Sequence, residues 1–139
     1  MPMSRRQFLS AVLLTSAFGA LAGCGGSSTS SDSDPAGDGE TLGSPSTPVT
    51  RATIVSPDST FDVTTVHVPV GQPVEFTYDN RHEGVPHNLH VSGNGIDSST
   101  PVRPGKVVQT LVVNFPKAGT YDYICDVHPA MMRGVVIAA

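Results

Sequence analysis

Beyond about residue 50, β-branched and aromatic residues come in short runs, and Gly or Pro cuts each run before it reaches helical length. Val66, Val68 and Val70 alternate with His67 and Pro69, and Gly71-Gln72-Pro73 then turns the chain. Val74, Phe76 and Tyr78 alternate with Glu75, Thr77 and Asp79, the two-residue period of a half-buried strand. Val107 to Phe115 is β-branched and apolar enough for a central strand. Pro116-Lys117-Ala118-Gly119 reverses it into Thr120 to Cys125, where Tyr121, Tyr123 and Cys125 share a face. Val135-Val136-Ile137 reads as the closing strand, and nothing after residue 50 has a helical period. The expected fold is therefore all-β, a single-domain β-sandwich over residues 50–139.

Composition agrees. The chain has 14 Gly, 12 Pro and no Trp, and 14% of its residues are charged, which favours turns and strands over a helical bundle. Formal net charge is -4 without a basic stripe or arginine cluster, so nucleic-acid binding has no electrostatic support.

Residues 1–23 have the pattern of a targeting segment and are kept out of the fold. Arg5 and Arg6 precede an apolar run of 15 residues, Phe8 to Ala22, short of the roughly 20 that a membrane span needs. Ser4-Arg5-Arg6-Gln7-Phe8-Leu9 resembles the twin-arginine export signal. Leu21-Ala22-Gly23-Cys24 resembles a lipobox, which implies cleavage before Cys24 and a lipid on its sulfur. An exported protein, lipid-anchored and facing the periplasm or cell exterior, is expected. Losing Arg5 and Arg6 leaves 6 basic against 12 acidic residues, a mildly acidic mature chain. Residues 24–49 are Gly, Ser, Thr, Asp and Pro with few apolar side chains, and are expected to form a disordered linker. Such a coil has a reach of about 25–30 Å, enough to let a tethered domain meet membrane partners in several orientations.

The chemistry concentrates in Cys125-Asp126-Val127-His128-Pro129-Ala130-Met131-Met132-Arg133-Gly134. A thiolate, an imidazole and a thioether on one short loop form a donor set that copper prefers, with the thioether as a weak axial ligand. Either Met131 or Met132 supplies that sulfur. A second imidazole must come from elsewhere, and His87 is the best candidate. Pro86 fixes an extended entry to it, and Asn88 offers a side-chain amide to cross-brace the ligand loops. His90 points away from His87, His67 sits in the valine alternation facing solvent or a strand neighbour, and His82 lies in a loop. With Cys125 committed to a metal and Cys24 to a lipid, no disulfide is expected.

Taken together, Val85-Pro86-His87-Asn88-Leu89-His90-Val91, Gly119 to Cys125 and His128-Pro129 through Gly134 resemble the cupredoxins, in particular the plastocyanin, azurin and amicyanin group. The likeness covers residues 50–139. It implies a Greek-key β-sandwich with one type 1 copper ion under the loops at one end. His87 and His128 would give imidazole nitrogens, Cys125 the thiolate and a methionine the long axial bond. In these relatives the axial methionine comes immediately before a basic residue and a glycine. Met132 has that place before Arg133-Gly134, so it is the preferred ligand, with Met131 as the alternative. The resemblance further implies a monomeric one-electron carrier, with the His128 ring edge as the electron exit. Val85, Pro86, Pro129, Ala130 and Met131 would form an apolar patch for redox partners such as a cytochrome or a membrane oxidoreductase. Copper delivery or sequestration through the same site is the alternative. Catalysis is not expected, because Cys125 and His128 lack an obvious third member and a second cysteine near Cys125 is missing.

Overall fold

The computed structural model describes residues 39–82 and 84–139; the leader, Cys24 and most of the linker lie outside them. Nine strands are assigned there: β1 (Glu40–Leu42), β2 (Arg51–Ser56), β3 (Val63–Val68), β4 (Pro73–Asn80), β5 (His90–Gly93), β6 (Ile96–Ser99), β7 (Val107–Asn114), β8 (Gly119–Ile124) and β9 (Arg133–Ala138). They form a six-stranded sheet in the order β1-β3-β9-β8-β5-β6 and a three-stranded sheet in the order β2-β4-β7. Both sheets are mixed: β1–β3, β3–β9 and β2–β4 run parallel and the other pairs antiparallel. The expected β-sandwich is present, with the chain passing repeatedly from one layer to the other.

Strand periodicity explains how the layers close. Val74, Phe76 and Tyr78 of β4 are fully buried, as their alternation with polar neighbours requires. They meet Val66 and Val68 of β3, Tyr121 and Tyr123 of β8 and Val136 of β9 in one apolar core. Rings knit the layers together. Phe61 stands edge-on to Tyr78 at 6.0 Å and tilts against Tyr123 at 5.4 Å, while Phe115 stands edge-on to Phe76 and Tyr121. Each tyrosine hydroxyl finds a partner, as burial demands: Tyr121 donates to the Lys117 carbonyl, Tyr123 to the Val63 carbonyl, and Tyr78 pairs with the Ser56 hydroxyl.

Two sequence expectations change. Part of the stretch read as disordered linker is a strand, because β1 lies at Glu40–Leu42, before residue 50. That stretch is poor in apolar side chains, but its backbone finds partners. β1 lies parallel to β3, the Glu40 N–H donates to the Asp62 carbonyl at 2.7 Å, and Leu42 packs on the core. The second change concerns Val107–Asn114, expected to be central. It is the outer strand of the three-stranded sheet, pairing only with β4 there, and Val108 and Val112 face outward. A run of valines reports strand propensity without reporting burial on both faces.

Candidate metal centre

At one end of the sandwich, three donors meet. Cys125 follows the last residue of β8 and continues the inward row of Tyr121 and Tyr123, so its sulfur is buried. His87 precedes β5 and is also fully buried; its N–H donates to the Arg103 carbonyl and its carbonyl accepts from the Arg103 N–H, both at 3.0 Å. His128 sits on the loop between β8 and β9, partly exposed. That loop is tight. The Cys125 N–H donates to the Met132 carbonyl at 3.0 Å, closing its base, and the Met132 N–H donates to the His128 carbonyl at 2.9 Å.

The His87 and His128 Nδ1 atoms lie 3.2 Å apart, and the Cys125 sulfur lies 3.7 Å from His87 Nδ1. All three donor atoms fall within 4.8 Å of one another. Ligands bound to one ion at about 2.0–2.3 Å in trigonal or tetrahedral geometry are separated by about 3.3–4.0 Å. The two short spacings match a single ion, and the 4.8 Å limit keeps the third pair close to it. Burial, with the imidazoles of His128 and His82 nearby, lowers the pKa of His87 and keeps its ring neutral with a lone pair to donate. One thiolate, two imidazoles and a thioether suit copper better than structural zinc, which takes four strong ligands.

The two methionines differ sharply. Met132 is fully buried, whereas Met131 is 57% exposed. Asn88 makes the cross-brace that its position suggested: its Nδ2 donates to Asp126 Oδ2 and to the Thr100 carbonyl, and its Oδ1 accepts from the Asp126 N–H. His90 points away from the centre as expected, with its two ring nitrogens on Asp126 and Asp97 at 2.7 and 2.6 Å. His67 lies partly exposed in β3. His82 comes closer than a solvated loop residue would, its ring centroid 5.7 Å from that of His87.

Sequence reasoning missed Asn80. The alternation read from the sequence stops at Asp79, yet Asn80 ends β4 and is fully buried. Its amide donates to the Val85 and Arg103 carbonyls, both at 3.2 Å. The signal was present, since Asn80 extends the inward row of Val74, Phe76 and Tyr78 by one more step of two.

Residues 28–138 match the family described as "Cupredoxin-like domain". Amicyanin-alpha of Methylorubrum extorquens is 37% identical over 78 residues, which cover 55% of this chain and 63% of that protein. The chain thus spans less than two thirds of this curated relative. Reduced auracyanin from Roseiflexus castenholzii superposes with a TM-score of 0.59 at 22% identity, over 66% of this chain and 98% of that one, a likeness of fold. A reduced Cu(I) form of an amicyanin variant superposes with a TM-score of 0.50 at 29% identity, over 64% and 82% of the two chains. With its sandwich, its converging His87, Cys125 and His128, and a family match over most of its length, this chain belongs to the cupredoxin-like domain family.

Proposed function

We propose that this protein is a type 1 copper protein that carries single electrons between redox partners outside the cytoplasmic membrane, anchored there by a lipid on Cys24. One observation carries the reading: the Nδ1 atoms of His87 and His128 and the sulfur of Cys125 converge within 4.8 Å of one another, with the buried Met132 on the same loop as Cys125 and His128. Copper bound there supplies one-electron exchange between Cu(I) and Cu(II). Cys125 would give the thiolate, His87 and His128 the imidazoles, and Met132 the weaker thioether sulfur. Cys125 directly follows β8, His87 stands just before β5, and His128 and Met132 lie on the closed loop between β8 and β9, which supports ligand positions that move little when charge changes.

His128 is the one imidazole of the pair that reaches the surface. Pro86, Pro129, Ala130 and Met131 are exposed, and Val85 is half-buried. This supports a docking face through which His128 passes electrons, with a cytochrome or membrane oxidoreductase as the class of partner. The amicyanin likeness supports the same reading. The sequence motifs at Arg5-Arg6 and at Cys24 support export and anchoring.

The decisive experiment adds Cu(II) to the purified metal-free protein and follows the visible and EPR spectra with cyclic voltammetry. One equivalent should give an intense blue colour and a reversible one-electron wave, both abolished by Cys125→Ser. A colourless protein that binds Cu(I) and yields it readily would show a delivery protein instead. Unchanged metal binding in Cys125→Ser would remove the site itself.

A further inference from the structure

A histidine that ligates a metal usually donates its other ring nitrogen to a carboxylate, carbonyl or water, and that bond fixes the ring. His87 departs from this pattern. Its Nδ1 faces Cys125 and His128, while its Nε2 is buried with no hydrogen-bond partner among the described residues. With no hydrogen bond on that nitrogen, the orientation of this ring depends on its packing against the rings of His82 and His128, at 5.7 and 4.8 Å, and on where the backbone is held.

Asn80 holds that backbone. Its Nδ2 donates to the carbonyl of Val85, two residues before His87. The same nitrogen donates to the carbonyl of Arg103, which also accepts the N–H of His87. Its Oδ1 accepts from the His82 N–H at 3.2 Å and from the Ser56 hydroxyl at 3.5 Å. An amide has two donors and two acceptor sites, and here all four are used. Both strands of the backbone bridge that presents His87 are thus tied to one fully buried side chain at the end of β4.

We propose that Asn80 is the positioning residue for His87, setting through Val85 and Arg103 the ring orientation that a ring-nitrogen hydrogen bond supplies elsewhere. None of its hydrogen bonds goes to a ligand atom. This inference rests on the copper reading only for which ion is held; the placement of His87 exists without the ion. Asn80→Asp keeps the shape and both acceptor sites but loses the two donated bonds. Ser56→Ala is the control, because it perturbs the same buried cluster without touching Val85 or Arg103.

The test has two arms. In the first, NMR of the His87 imidazole is recorded in the metal-free protein. Asn80→Asp should shift and broaden these signals while Ser56→Ala leaves them unchanged. In the second, copper loss to a chelator is timed, and Asn80→Asp should lose copper about 10–100-fold faster, the usual effect of removing an outer support. If Asn80→Asp fails to fold, Asn80→Ser, which retains one donor, replaces it and should give an intermediate shift. His87 signals and copper loss both like wild type would overturn the inference, as would equal effects from Ser56→Ala. A wild-type protein that stays colourless with copper would instead sink the functional reading and leave the first arm to decide on Asn80.

Discussion

Asn88 and Asp126 are joined twice: Asn88 Nδ2 donates to Asp126 Oδ2 at 2.6 Å, and the Asp126 N–H donates to Asn88 Oδ1 at 2.9 Å. Each residue directly follows a metal-site residue, His87 in one case and Cys125 in the other. The pair therefore fixes the distance between two segments 38 residues apart in sequence. Asn88→Ala removes three hydrogen bonds, to the Asp126 carboxylate, the Asp126 N–H and the carbonyl of the buried Thr100, and should cost about 1–3 kcal/mol of stability. Copper should also leave about 10–100-fold faster. Urea unfolding and chelator competition measure the two effects separately, and stability loss with unchanged copper release would show that the brace serves the fold alone.

His90 lies between two carboxylates, with Nδ1 on Asp126 and Nε2 on Asp97. Both contacts are hydrogen bonds only when both ring nitrogens carry protons. The bonds to Asp126 and Asp97 accordingly raise the His90 pKa above 6.5. A group whose folded pKa is raised stabilises fully below its unfolded value and loses that contribution as pH rises through the folded one. Asp126 moves the other way. Burial opposes its ionisation, but the hydrogen bonds from His90 and Asn88 outweigh burial and lower its pKa below 3.8. Its contribution is lost as pH falls through that lowered value. The stability lost in His90→Gln should therefore be greatest between about pH 4 and 6.5 and shrink above that window. A loss that grows as pH rises toward 9 would contradict the imidazolium assignment.

What the sequence made legible was local. The Cys125–Met132 loop carries its donors within one turn, and the alternation in β4 is a property of neighbouring residues. His87 was reachable because Pro86 and Asn88 stand beside it. The Asn88 brace was legible from its place beside His87, although its partner Asp126, 38 residues on, was not. The Asn80 support was not legible, because it joins distant segments, meeting Arg103 across 23 residues. No spacing rule predicts such bonds; they follow from strand register. β1 was missed for a related reason, since parallel pairing with β3 satisfies a backbone whose side chains signal little. The valines of β7 misled in the opposite direction, because a strand with one exposed face can carry apolar residues there.

Gly134 opens the run of buried residues in β9 and lies under the ring of Tyr123. A Cβ at this position would overlap the Tyr123 ring and hydroxyl and press on the Thr64 carbonyl. Only a residue without a side chain lets Tyr123 reach the Val63 carbonyl, to which it donates at 2.6 Å. Gly134→Ala should thus destabilise by about 1–3 kcal/mol, as overpacking does in a close-packed interior. Tyr123→Phe, which removes the crowded hydroxyl, should recover part of that loss in the double variant. Additive losses in thermal unfolding would show that the clash is relieved elsewhere.

Two parallel substitutions test the proposed assignment of the axial sulfur to Met132 rather than Met131. Met132 is fully buried, and its own carbonyl is held by the Cys125 N–H at 3.0 Å, so the loop fixes it at the base of the site. Met131 is 57% exposed on the outside of the same turn. Met132→Gln places an amide where a thioether stood, so the visible and EPR spectra of the copper form should change. It should also destabilise the metal-free protein by about 1–3 kcal/mol, because the amide is buried without a partner. Met131→Gln should leave both spectra as they are and alter stability by no more than about 0.5 kcal/mol, the range for an exposed position. The measurement discriminates because only Met132→Gln is expected to move either readout. A copper spectrum altered only by Met131→Gln would transfer the axial role to Met131 and require the loop to rearrange when the ion binds.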